Sequence, residues 1–281
     1  MSSIWESVFK RRHCEDYDEY IYKRTDFSME KITSTQNPVI RRMKALKDAK
    51  ERSATGLFLM EGEVMIREAL KCGLTPADAL FENESGLIKE LEEAGASVHF
   101  AARSALEATC DTKTPQGCVC AFTIPRKTTL PENALKIVAL DAVQDPGNVG
   151  TIWRTADAAG FDAVIFGDGC ADAYSPKVQR AAMGSGFRVP AVHGTLTEIL
   201  PVYMKDGASL IVSALDGSDL YARSPISKDK PMILVIGNEA KGVSKEVQAL
   251  SNVRLKIPMR GGAESLNAAV AAGILMYELT K

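Results

Sequence analysis

The chain has 281 residues, of which 46% are hydrophobic and 25% charged, with a formal net charge of −2. That length suits two domains of ordinary size or one large one, and the balance excludes a disordered chain. The near-neutral charge is no global sign of nucleic-acid binding, although RNA-binding enzymes are often basic only in patches.

Residues 1–28 mix Trp5, Phe9, Tyr17, Tyr20 and Tyr22 with charges of both signs. The segment has no apolar core of a signal peptide, and its acidic residues argue against a transit peptide. It reads as an extension outside the main fold. From Lys31 the pattern changes. Asn37 is placed to cap a helix with Pro38 at its first position, and Val39, Met43 and Leu46 follow at helical spacing. The spacing predicts one basic helix running to Arg52, with Arg41, Arg42, Lys44, Lys47, Lys50 and Arg52 outnumbering Asp48 and Glu51. Such a face is either simply solvated or a contact for RNA phosphates, whose counterions clustered cations displace.

LFLMEG, ADALFE, SVHFA and Gly117 to Thr123 read as strands, with EVMIREALKCG and GLIKELEEAG as helices closed by Gly73 and Gly95. This predicts a small α/β domain over 29–124 that holds no catalytic constellation and suits substrate recognition. PRKTTLPEN opens a linker over 125–135. The second domain, 136–281, begins with the buried strand IVAL. A helix follows with Val149, Ile152, Trp153 and Ala156 inward and Gly160 closing it. AVIFGDG, LIVSAL, MILVIG and RLKIP are further short apolar runs, as expected of a largely parallel sheet. The last helix carries Leu266, Val270, Ile274 and Tyr277 on one face, and its small residues over 268–273 suit close packing against another backbone.

In such sheets ligands sit beyond the carboxyl ends of the strands. Those ends here are DAVQDPGN, SALDGS, GNEAKGVS and PMRGGAESLN. PGNVG fits neither a dinucleotide nor a P-loop pattern. His193, the one histidine of this domain, falls in an expected surface loop, and no GxSxG elbow supports a serine hydrolase. The six cysteines are scattered without CxxC pairs or neighbouring histidines, so no metal site is expected. Cys118 and Cys120 should share one packed face of a strand, and free thiols suit a reducing cytoplasm. No apolar run approaches the ~18 residues of a membrane helix. What remains is Asn148, Arg154, Glu239, Ser265 and Asn267 at loop–element junctions. Each alone has an ordinary reading: a salt bridge for Arg154, and a cap for Asn148, Glu239 or Ser265.

Together, DPGNVGTIWRTADAAGFDAVIF, ILVIGNEAKGVS and LKIPMRGGAESLNAAVAAGI resemble the three motifs of the SpoU/TrmH RNA 2′-O-ribose methyltransferases, in the family's order and with the third at the C-terminus. Residues 31–123 resemble that family's N-terminal substrate-binding domain. The resemblance implies a trefoil-knotted α/β domain, a homodimer and S-adenosylmethionine as cofactor. It carries Asn148, Arg154, Glu239, Ser265 and Asn267 over as the active-site set. Backbone contacts to the cofactor carry over to Gly237, Ile257 and Leu266, with Ala214 and Leu215 near the adenine. Arg41, Arg42, Lys44, Lys177 and Arg180 are then expected to hold RNA. Ribosomal RNA is favoured over transfer RNA, and a non-catalytic RNA-binding protein of the same fold is the rival from another class.

Overall fold

The computed structural model describes residues 30–125, 129–204, 207–224 and 230–281. The expected extension over 1–28 and part of the expected linker lie outside the described residues.

Asn37 caps α1 (Pro38–Ala45) by accepting from the Val39 N–H, as the sequence predicts. The helix does not run on to Arg52. Asp48 accepts from the Lys50 N–H at 2.7 Å and starts a second helix, α2 (Ala49–Thr55), which ends at Gly56 in the left-handed conformation. A capping aspartate inside an otherwise helical pattern offers the backbone a fresh start, and here it takes it. There follow β1 (Leu57–Glu61), α3 (Glu63–Lys71), β2 (Pro76–Phe81), α4 (Leu87–Glu93), β3 (Ser97–Phe100), α5 (Arg103–Thr109) and β4 (Cys118–Thr123). The sheet order is β1-β4-β2-β3, with β2 and β3 parallel and β4 antiparallel to both its neighbours. Helix α5 is not anticipated from sequence, and its N-cap residue, Ala102, has no capping side chain to announce it. Cys118 and Cys120 are both buried on β4.

The second sheet comprises β5 (Lys136–Asp141), β6 (Ala163–Phe166), β7 (Ala191–His193), β8 (Ser209–Asp219), β9 (Met232–Gly237) and β10 (Val253–Lys256), in the order β10-β8-β9-β5-β6-β7. Every pairing is parallel. Around it lie α6 (Pro146–Ala158), α7 (Pro176–Ala182), α8 (Ser185–Arg188), α9 (Leu196–Met204), α10 (Lys245–Leu250) and α11 (Ala268–Thr280). His193 therefore ends a short strand and stacks on Phe166 at 4.9 Å, rather than lying in a loop. From β5 the chain steps outward through β6 and β7, then returns on the other side to build β8, β9 and β10. The reversal falls between β5 and β9, where strand ends part and a crevice forms. Asp141 pairs with Gly237 in register, so the loops that leave these two strands emerge side by side.

Helix α6 packs as expected, with Val149, Ile152, Trp153 and Ala156 buried. The Trp153 indole meets Phe166 edge-on at 5.0 Å and donates to Val189 O at 3.0 Å, so its one polar atom is satisfied. Helix α11 packs through its small residues. Ala268, Ala269, Ala272, Leu275, Met276 and Leu279 are buried, whereas Leu266, Val270 and Tyr277 are 36%, 52% and 53% exposed. Both faces of this helix are apolar, so periodicity could locate two stripes without saying which one is covered.

The two sheets share a seam. Phe58 of β1 contacts Tyr174 at a ring distance of 5.1 Å, and the Tyr174 hydroxyl donates to Pro125 O. Arg52 is buried there: its Nε donates to Asp172 Oδ2 at 2.9 Å, and its Nη1 donates to Leu46 O and Lys47 O. A buried guanidinium persists only when its donors are matched in this way. Arg188 pairs with both Glu68 and Asp157, and Arg180 with Asp111 at 2.9 Å.

Candidate active site

Three loops meet at the reversal point. The first follows β5. Asp145, not Asn148, caps α6: its Oδ1 accepts from the Asn148 N–H at 2.8 Å, with Pro146 at the first helical position. The Asn148 side chain, one turn in, is thus released from capping. Its Nδ2 donates to Glu239 Oε1 at 2.9 Å, and its Oδ1 accepts from Asn267 Nδ2 at 2.9 Å. Asn267 in turn caps α11, accepting from the Ala269 and Val270 N–H groups. Glu239, Asn148 and Asn267 therefore form one continuous chain of hydrogen bonds across all three loops.

Glu239 lies in the second loop, after β9, and also accepts from the backbone of Gln144 and Asp145 at 3.4 and 3.3 Å. Desolvation pushes its pKa up, but hydrogen bonds from the Asn148 side chain and from backbone N–H groups outweigh this and hold the carboxyl below its ordinary value. The carboxylate is thus ionised at neutral pH and fixes which way the Asn148 amide points. Asn238 and Gly242 exchange backbone hydrogen bonds of 3.0 and 2.9 Å, closing a tight turn with Gly242 at φ +70°. Gly237 is buried beneath it. A Cβ there would lie 2.2 Å from the carbonyl carbon of Gly242 and the nitrogen of Val243. The sequence expectation placed Gly237 at the cofactor; the turn alone already requires a glycine.

The third loop, 257–267, carries Ser265, which is exposed and makes no hydrogen bond among the described residues. Nor do the backbone groups of 258–266, apart from any made to residues outside the described set. Such open N–H and C=O groups are what a ligand held through main-chain contacts requires. Ala214 and Leu215 belong to an excursion of β8. Arg254 pairs with Val212 while Leu255 pairs with Ser218, so residues 213–217 bulge out of the sheet opposite a single peptide of β10. Leu215 is 72% exposed on this bulge. Ile257 is half-buried and Leu266 is 36% exposed. Arg154 is exposed on α6 and forms neither a hydrogen bond nor an ion pair among the described residues. The structure does not bring it to Glu239.

Of the five cations expected to hold RNA, Arg42 donates to both oxygens of Asp78, Lys177 lies 3.9 Å from Asp145, and Arg180 pairs with Asp111. Arg41 and Lys44 remain exposed on α1 with no such partner among the described residues. Among the described residues no three His, Cys, Asp or Glu side chains are grouped to hold a metal, and no helix is long and apolar enough to cross a membrane. The free thiols are poor nucleophiles: burial pushes Cys110 and Cys118 up to about 12. Sequence reasoning missed Asp145, Asn238 and the β8 bulge. Pro146 was a usable signal for the first, because proline at the first helical position marks the residue before it as the cap.

Residues 136–277 match the SpoU rRNA Methylase family, and residues 25–120 match the MRM3-like substrate binding domain. The chain belongs to the SpoU rRNA methylase family. Among SpoU relatives, the 23S rRNA (guanosine(2553)-2′-O)-methyltransferase RlmP of Bacillus subtilis is 38% identical, over 89% of this chain and 99% of its own. The human mitochondrial rRNA methyltransferase 3 is 30% identical, over 84% of this chain and 70% of its own. Among solved SpoU structures, the AdoMet-bound rRNA methyltransferase from Sinorhizobium meliloti superimposes with a TM-score of 0.81 at 29% identity, covering 89% of this chain and 97% of its own. AviRb from Streptomyces viridochromogenes, in complex with AdoMet, gives 0.79 at 28% identity, over 87% of this chain and 97% of its own.

Proposed function

We propose that the chain methylates a ribose 2′-hydroxyl of RNA, with ribosomal RNA as substrate and S-adenosylmethionine as methyl donor. The observation that carries this is the Glu239–Asn148–Asn267 chain, which joins the loops of the three SpoU motifs. Residues 136–281 act as the catalytic domain and 29–124 as the substrate-binding domain, joined through 125–135. Gly237, Ile257 and Leu266 would hold the cofactor through their backbones, with Ala214 and Leu215 against its adenine. The bound sulfonium supplies an already activated methyl group. The protein's task is to fix the line of attack and stabilise charge growing on the 2′-oxygen. Arg154 does the second. Its guanidinium stays protonated, so it acts through charge while a water or a substrate phosphate takes the proton. Asn148 and Asn267 fix the ribose side of the pocket, Ser265 lines it, and Glu239 orients Asn148 rather than balancing Arg154. Transfer of a labelled methyl group from S-adenosylmethionine to ribosomal RNA, located as a 2′-O-methyl, tests the reading. RNA bound without any transfer would favour the non-catalytic alternative.

Arg41 and Lys44 contact RNA phosphates, because they are the cations of α1 that remain exposed and without an internal partner. R41E/K44E lowers RNA affinity and flattens the salt dependence by about 1.4–1.8 log units per log unit of salt, the share of two phosphate contacts. An unchanged slope removes α1 from the interface. Lys177 and Arg180 contribute less, being already paired. Exposed Val270 and Tyr277 on α11, with Leu266 just before it, support a homodimer, since a second copy would cover them. V270E sediments as a monomer under conditions where the parent is dimeric; a monomeric parent at micromolar concentration refutes the dimer. The packing of α11 back on α6 and β9 supports the trefoil knot. The free, buried thiols suit a reducing cytoplasm.

A further inference from the structure

Asn238 stands immediately before Glu239 and belongs to none of the sets named so far. Its carboxamide is used on both sides. Oδ1 accepts from the Ala240 and Lys241 N–H groups at 3.0 and 3.1 Å, which shapes the turn after β9. Nδ2 crosses to the neighbouring loop and donates to Ala142 O at 2.9 Å. Ala142 is at φ +54°, one of two non-glycine residues with positive φ among the described residues. A left-handed alanine is strained and persists only where its surroundings enforce it. Two contacts enforce it: Asn238 Nδ2 on its carbonyl, and Asp141 Oδ2 accepting from the Ser244 N–H at 2.7 Å just outside the turn. Two residues downstream of Ala142, Gln144 and Asp145 present their N–H groups to Glu239, and Asn148 follows. A change of φ at Ala142 would swing all three donors away from the carboxylate.

We propose that Asn238 is a positioning residue for methyl transfer: by holding Ala142 in its left-handed conformation it sets the distance between Glu239 and Asn148. It touches neither reactant and acts through the loop it tethers. The proposal deepens the methyl-transfer reading and rests on it for its kinetic consequence, though not for its structural one.

Asn238→Ser separates the two halves of the side chain. The hydroxyl can still accept from the turn's N–H groups, but is one bond too short to reach Ala142. Turnover falls about ten- to hundredfold, the scale of a small misplacement of catalytic groups, while S-adenosylmethionine affinity stays within about twofold. Ala142→Gly in the N238S background restores part of the rate, because glycine enters the left-handed region without strain. Asn238→Asp, which also keeps an acceptor and loses the donor, shows the same fall and the same recovery. A readout free of catalysis is the titration of Glu239 followed by carbon NMR. It moves upward in N238S as its backbone donors drift away, and returns toward the parent value in N238S/A142G. Asp145, Lys177 and Lys241 are present in every variant, so their charges do not account for a difference. Parental turnover in N238S, no recovery on adding A142G, or an unmoved Glu239 titration would each overturn the proposal. A parent protein that transfers no methyl to RNA overturns the functional reading instead, and the Glu239 titration still decides the tether.

Discussion

Arg154→Ala lowers the single-turnover rate of methyl transfer by about a thousandfold and leaves S-adenosylmethionine affinity and thermal stability near those of the parent. The magnitude is that of removing one preorganised charge from a developing oxyanion. The absence of a stability effect follows from the site: Arg154 is exposed, and no hydrogen bond or ion pair among the described residues depends on it. Arg154→Lys recovers only a fraction of the rate, because a point charge on a flexible stem does not reproduce a planar fork. Calorimetric binding, a melting curve and single-turnover kinetics on the same preparations provide the three readings. A variant that methylates at the parental rate takes Arg154 out of the mechanism.

Gly237→Ala is expected to be the most damaging substitution of a single hydrogen by a methyl in the chain's second half. The added carbon would sit 2.2 Å from backbone atoms of Gly242 and Val243, and backbone cannot rotate away as a side chain can. The turn from Asn238 to Gly242 must lift, carrying Glu239 off Asn148. Overpacking of this kind costs about 1–3 kcal/mol, so the melting temperature drops by several degrees. With the turn as the proposed wall of the cofactor pocket, cofactor affinity falls by a hundredfold or more. Gly86→Ala is the control: it lies in the small domain, nothing is within 4 Å of a Cβ at that position, and neither quantity changes. Parental cofactor affinity in G237A would show that the turn does not form the pocket.

The alternation of strand and helix was legible because apolar runs such as IVAL and MILVIG are punctuated by residues with strong turn chemistry. The catalytic loops were legible as polar, glycine-rich ends of those runs. What escaped was anything decided at long range. Arg52 reads as one more cation of a basic helix, and its burial depends on Asp172, 120 residues away. Asn148 reads as a cap until Asp145 takes that place, and only then can its amide face Glu239. The bulge that carries Ala214 and Leu215 is a mismatch in register between β8 and β10, which no property of LIVSAL alone could reveal. Helix α11 shows the same limit from another side, because which of two apolar stripes is covered depends on what else lies nearby.

The seam between the two sheets has a bearing on how a substrate is selected. Arg52, Arg180 and Arg188 bolt the small sheet to the catalytic one at three separate points, with Phe58 against Tyr174 as an apolar fourth. Two bodies fastened in this way swing little with respect to each other. With RNA phosphates on Arg41 and Lys44 as proposed, the separation between α1 and the crevice at β5 and β9 would behave as a ruler rather than a tether. A flexible tether would admit any ribose within reach of a bound phosphate. A ruler admits only an RNA whose folded shape sets a phosphate cluster and a bare 2′-hydroxyl the right distance apart, so the architecture of the RNA, more than its base sequence, becomes the address that is read.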